Sequence, residues 1–219
     1  MTMDQRPGAA PPARTAVRPD HRIGAAPRGG TAVDRASAHA GGLVAWVRSL
    51  PATAGRTRVV CVEGRSGAGK TGLAGALAAD LGATLIRMDD LYPGWDGLLG
   101  GVDALREWIL APLAAGQPAR WRRWDWAAGA YRDWEPLHAG DDLVVEGVGC
   151  GAGALRPYRS GLVWIEVPEA ERKRRALARD GETYAPHWER WARQEDAFYA
   201  ANQVREHADK IIDNSGGTA

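Results

Sequence analysis

The octapeptide Gly64-Arg65-Ser66-Gly67-Ala68-Gly69-Lys70-Thr71 limits what this chain can fold into more than any other stretch. Ahead of it, Val59-Val60-Cys61-Val62-Glu63 is a short apolar run of β-forming residues and predicts a buried strand. Behind it, Gly72 to Leu81 carries small and apolar residues at helical spacing, and Gly82 stands where a helix would stop. Strand, glycine-rich turn and helix in that order form the setting of a phosphate-binding loop. Glycines let the backbone curl until successive N–H groups face inward, and the new helix adds its own unpaired N–H groups and positive end. Gly64, Ser66, Gly67, Ala68, Gly69, Lys70 and Thr71 are therefore the candidate phosphate ligands. Lys70 brings a mobile charge for the β- and γ-phosphates, and the Thr71 hydroxyl is placed for Mg²⁺. A dinucleotide loop would read GxGxxG without the lysine, and is excluded.

A chain of 219 residues makes one good core, with room for a small lid. The formal charge of +1 provides no global field for nucleic acid or an anionic membrane. Cys61 and Cys150 lie far apart in or near apolar runs and make no metal pattern, so buried reduced thiols are expected. No run is long and apolar enough to cross a bilayer, and the start has arginines and prolines where a signal peptide needs an apolar stretch. The expectation is a cytoplasmic protein, monomeric or homodimeric.

Residues 1–33 are rich in Pro, Gly, Ala and Arg and read as a disordered tail; 34–214 read as a single domain and 215–219 as a flexible end. Asp34 is placed to cap a helix through Leu50, ended by Pro51. Further strands are expected at 84–88, 143–147, 162–167 and 210–213, with helices at 101–114, 169–180 and 187–206. Pro112 should bend or end the first of these helices. Strands separated by helices give a mostly parallel, three-layer α/β domain with five strands.

Two acids fall just beyond strand ends on the edge where ligands collect in such sheets: Asp89 (or its neighbour Asp90) and Glu146. With Thr71, Asp89 and Glu146 are the candidate metal ligands, and either acid can align an attacking hydroxyl. Arg172, Arg175 and Arg179 share one face of a basic helix, within a lid expected at about 168–186; Arg175 and Arg179 are its candidate phosphate clamps. Between Tyr92 and Trp134 aromatics alternate with arginines and acids. Tyr92, Trp95, Arg122, Arg123, Trp124 and Asp125 are suitable types for gripping a flat, hydrogen-bonding acceptor.

Taken together, 64–71, Asp89-Asp90-Leu91-Tyr92, 143–147, the basic run 171–180 and the closing Ala208-Asp209-Lys210-Ile211-Ile212-Asp213-Asn214 resemble the P-loop kinase superfamily, near the uridine kinase-like nucleoside and small-metabolite kinases. The resemblance implies a P-loop NTPase fold with a five-stranded parallel core and a small helical lid. It implies ATP with Mg²⁺ as donor, a small-molecule hydroxyl as acceptor, and Asp89 as the acid nearest that hydroxyl. Tyr92 would line the acceptor pocket, and Arg175 and Arg179 would belong to the lid. Where uridine kinase-like proteins carry a well-developed β-hairpin and an Asp-His-Pro element, this chain has Arg122-Arg123-Trp124-Asp125-Trp126. An ATP-binding regulatory module or slow NTPase is the alternative. A guanine-specific GTPase would need Asn-Lys-x-Asp, which is absent from the sequence, and the near-neutral charge speaks against a nucleic-acid face.

Overall fold

Val59, Val60, Cys61 and Val62 are buried on both faces, so strand β1 (Arg58–Glu63) has to lie in the middle of a covered sheet. It does so in the computed structural model, which describes residues 30–215, the side chains of 30–35, 38, 179, 180, 182 and 183 excepted. Helix α1 (Gly30–Ser49) precedes β1, and helix α2 (Lys70–Leu81) follows the glycine-rich turn. Gly82 closes α2 in the left-handed conformation expected of a terminal glycine. Strand β2 (Thr84–Arg87) then runs into a 3₁₀ turn, Met88–Asp90.

Helix α3 (Leu98–Ala104) continues through a π-helical stretch, Leu105–Leu110, into α4 (Ala111–Ala114). Pro112 neither ends this helix nor stands in a regular turn. Its ring and missing N–H are incompatible with tight α-geometry, and the wider turn ahead of it, where Ala111 N–H bonds back to Arg106 O, accommodates them. Next come four two-residue strands, β3 (Arg120–Trp121), β4 (Trp124–Asp125), β5 (Ala130–Tyr131) and β6 (Glu135–Pro136). β3 pairs with β6 and β4 with β5, both antiparallel, so the Arg122–Trp126 stretch belongs to a hairpin after all. The sequence hides it because Arg122-Arg123 interrupts one arm, leaving no alternation long enough to read.

Strands β7 (Asp142–Glu146) and β8 (Gly161–Glu166), helices α5 (Glu169–Tyr184) and α6 (Trp188–Asn202), and strand β9 (Lys210–Asp213) complete the chain. The five-stranded sheet runs β2-β7-β1-β8-β9, and every pairing in it is parallel. One face packs on α1 and α2 through Val60, Val62, Val144 and Val163 against Val47, Leu73 and Leu77. The other packs through Cys61, Val145, Leu162 and Trp164 against α3, Trp188, Trp191 and Phe198. This is the expected three-layer α/β architecture.

Two boundaries differ from expectation. Helix α1 begins at Gly30, so Asp34 is inside it rather than at its cap; no proline lies between Arg28 and Leu50 to stop the helix earlier. The tail expected before it falls, up to residue 29, outside the described residues, as do 216–219 of the expected flexible end. The basic helix does not end at Asp180. It resumes after a kink at Gly181 (φ 52°, ψ −133°), a backbone state suited to glycine, and continues to Tyr184. The segment expected as a lid is therefore α5 and the short turn Ala185–His187 that leads into α6. Among the described residues no helix is long and apolar enough to cross a membrane.

Candidate active site

The phosphate-loop sequence becomes a cradle through what holds its carbonyls. Lys70 Nζ donates to Gly64 O at 2.7 Å and Arg65 O at 3.2 Å. Arg172 Nη1 donates to Ser66 O at 3.3 Å, and Asn214 Nδ2 to Ala68 O at 2.9 Å. Ser66 O and Ala68 O are thus held by side chains from outside the loop, and intervening amides are left for a ligand. Among the described residues, the N–H groups of Gly67 and Gly69 meet no acceptor. Gly67 and Gly69 have φ of 83° and 94°, and a Cβ on Gly67 would lie 2.2 Å from Arg172 O. Only glycine fits there, and the turn it makes is an anion nest. Gly69 starts α2 with no side-chain cap bond, so the first amides of that helix add to the nest.

Adjacency of β7 to β1 sets the next element. In the parallel register Glu146 pairs with Val62 on one side and with Arg87 on the other. Glu146 is therefore buried beside the loop, where its Oε1 accepts from Thr71 Oγ at 3.1 Å and lies 4.0 Å from Arg87 Nε. Burial, then the charge of Asp89, raises its pKa to about 7, while Lys70, the Thr71 hydroxyl and Arg87 pull the other way. A hydroxyl and a carboxylate in contact at the lip of an anion nest are a suitable oxygen set for Mg²⁺. Among the described residues there is no cluster of three or more His, Cys, Asp or Glu side chains that could hold a metal by protein ligands alone. A site of this kind would rely on phosphate and water oxygens for the remainder.

Asp89 is exposed in the turn after β2, and its carbonyl accepts from Trp126 Nε1 of the hairpin at 3.0 Å. Asp90 is half-buried; burial raises its pKa and the charge of Arg123 opposes the rise. Trp95 is the centre of an aromatic stack, with His187 at 4.2 Å, Trp126 at 4.8 Å and Tyr184 at 5.6 Å between ring centroids. The hairpin, the 91–97 loop and the segment between α5 and α6 thus meet beside Asp89.

The other sequence candidates are placed differently. Tyr92 is 1% exposed, its ring 4.8 Å from Trp191 and its hydroxyl donating to Val148 O, so it supports the loop from within the core and has no face on a pocket. Arg122 is clasped by Trp108, Tyr131 and Trp134, with ring centroids 5.4, 4.7 and 4.9 Å from its guanidinium carbon. Through Trp108 that arrangement holds the hairpin on the π-helical stretch Leu105–Leu110 by cation–π attraction. Arg123 lies over Trp121 and is 4.0 Å from Glu135, and Trp124 meets Tyr131 edge-on. Arg175 is ion-paired with Glu171 and donates to Asn214 O at 3.0 Å. The Arg179 side chain lies outside the described residues. Cys61 and Cys150 are buried free thiols.

Three residues with roles at the site carry no readable signal in the sequence. Glu63, at the end of β1, is wholly buried, yet four donors converge on it: Gly64 N, Tyr199 OH, Gly149 N and Gly151 N, at 3.1, 2.8, 2.9 and 2.8 Å. Burial raises its pKa and those hydrogen bonds oppose the rise. Glu63 thereby ties the phosphate loop to the turn after β7. Arg87 and Glu195 are the others; each is an ordinary charged residue until the fold supplies its neighbours.

No family model matches the chain, and no curated protein does either. Solved structures do. A possible uridine kinase from Bacillus stearothermophilus is 20% identical, with a TM-score of 0.59 over 80% of this chain and 98% of that one. A putative fructose transport system kinase from Silicibacter sp. TM1040 is 18% identical, with a TM-score of 0.51 over 82% of this chain and 97% of that one. At these identities the likeness establishes the shared three-layer α/β fold and nothing finer.

Proposed function

We propose that this protein transfers the terminal phosphoryl group of ATP to a hydroxyl of a small molecule, with a nucleoside-like acceptor favoured. The observation that carries this reading is the contact between Thr71 and Glu146 at the mouth of an anion nest, with Asp89 beside them on the same sheet edge. The loop amides and Lys70 bind the β- and γ-phosphates; Lys70 does so by leaving the carbonyls of Gly64 and Arg65. Thr71 and Glu146, with Asp89 near, would hold Mg²⁺, which would supply positive charge to the phosphate oxygens. Asp89 orients the acceptor hydroxyl and receives its proton as the new O–P bond forms and the bond to the ADP oxygen breaks. Asp90 and Arg123 frame the acceptor side. Trp124 and Trp126, partly exposed on the hairpin and backed by the Trp95 stack, offer ring surface for a base. Arg175 and Arg179 on α5 meet the donor phosphates as the lid closes, Arg175 by exchanging Asn214 O for a phosphate oxygen.

The test is ADP release with Mg²⁺·ATP across a panel of nucleosides, sugars and hydroxy acids. Acceptor-dependent turnover with at least one nucleoside-like compound is expected. Tight ATP binding without acceptor-dependent turnover would instead favour the regulatory module.

A further inference from the structure

Ser66, in the middle of the phosphate loop, is held from two sides by helices α5 and α6. From α5, Arg172 is 8% exposed; its Nε donates to Val167 O at 3.2 Å and its Nη1 to Ser66 O at 3.3 Å. From α6, Glu195 is 2% exposed, and its Oε1 accepts from Ser66 N at 2.9 Å, Ser66 Oγ at 2.6 Å and Trp191 Nε1 at 3.0 Å. Its other oxygen lies 3.8 Å from Arg65 Nη1, and Arg65 is also paired with Asp196 at 2.6 Å. A buried carboxylate persists where donors surround it, and here three of those donors belong to the loop. One residue of the loop therefore has its carbonyl, its amide and its hydroxyl all fixed by groups more than 100 positions away in the chain.

The same helix reaches across to the acceptor side. Gln194 Nε2 donates to Trp95 O at 2.7 Å, and Arg190 is ion-paired with Asp96. On its inner face Trp191, Glu195 and Tyr199 follow one another at four-residue spacing and touch Tyr92, Ser66 and Glu63 in turn. Helix α6 thus joins the phosphate loop, the end of β1 and the loop after Asp89.

We infer that Glu195, opposed by Arg172, is a positioning residue for the donor nucleotide: by holding Ser66 it keeps the amides that follow aligned on the phosphate site. This rests on the reading of 64–71 as a nucleotide site. Preorganised donors bind an anion without a reorganisation cost, and a loop free to rotate its peptides loses that advantage.

The experiment uses the full chain, with Mg²⁺·ATP titrated calorimetrically and amide exchange followed across the loop, well below each variant's melting midpoint. Glu195→Ala is expected to weaken ATP binding about tenfold or more and to deprotect the Ser66 amide. Glu195→Gln keeps an acceptor oxygen and should remain within about threefold of the parent, because both donors on Ser66 are neutral and Arg65 retains Asp196 as its ion-pair partner. If Glu195→Ala does not fold, Arg172→Met, which releases Ser66 O in the loop and Val167 O outside it, should weaken binding in the same direction. A purely structural role would lower the melting temperature and leave affinity and Ser66 exchange unchanged in the folded variants. That result, with the parent binding ATP, overturns the inference. A parent that binds no ATP would instead overturn the functional reading.

Discussion

Replacing Glu146 by glutamine should stabilise this protein while removing a group proposed to work in its active site. The carboxyl is 3% exposed, and its pKa of about 7 in the folded chain compares with 4.5 for the unperturbed group. A raised acid binds its proton more firmly when folded than when unfolded. Stability from this group is therefore complete below about pH 4.5, falls as pH rises, and is lost above about pH 7. At 1.36 kcal/mol per tenfold difference in proton affinity, the ionised carboxylate costs about 3 kcal/mol at pH 8 and under about 1 kcal/mol at pH 5. Glutamine keeps the oxygen that faces Thr71 and does not ionise. Glu146→Gln should then melt about 6–12 °C higher at pH 8 and only about 2–4 °C higher at pH 5. Thermal melts of both proteins at the two pH values, without nucleotide or Mg²⁺, measure the difference directly. An offset independent of pH, or a variant less stable at pH 8, would show that Lys70, Thr71 and Arg87 compensate the buried charge fully, so that burial does not raise the Glu146 pKa.

Lys70→Ala should abolish turnover and weaken ATP binding at least about tenfold, with the fold retained, because the ammonium group bonds only to loop carbonyls; calorimetry and circular dichroism check both halves. Asp89→Asn should lower kcat about 10²-fold or more and change ATP affinity little, since the exposed carboxylate is assigned to the acceptor hydroxyl; equal losses in both would reassign it to the metal. Gly67→Ala should destabilise by about 3 kcal/mol, because its φ of 83° is unfavourable for alanine and the new methyl would meet Arg172 O at 2.2 Å; denaturant melts measure this.

Much of the fold is legible without coordinates, for one physical reason. A phosphate loop and the strand and helix around it are contiguous in the chain, and their signals are local: glycines where φ is positive, apolar runs where both faces are covered, a glycine where α2 stops. The same holds for β2, β7, β8 and β9 and for the acids at the ends of β2 and β7. The hairpin is not legible, since its paired segments are two residues long and the energy that holds them comes from Arg122 among three aromatic rings.

What the residue order determined by itself is the anion nest, the alternation of strands and helices, and the presence of candidate acids on the ligand edge. The order of strands across the sheet, which brings Glu146 to Thr71, came only with the tertiary structure. So did the burial of Tyr92, the clasp on Arg122, the four donors on Glu63 and the grip of Arg172 and Glu195 on Ser66. Each depends on neighbours that only the packed chain brings into contact. A side chain's chemistry is written in its type, but its exposure and its hydrogen-bond partners are properties of the packed whole.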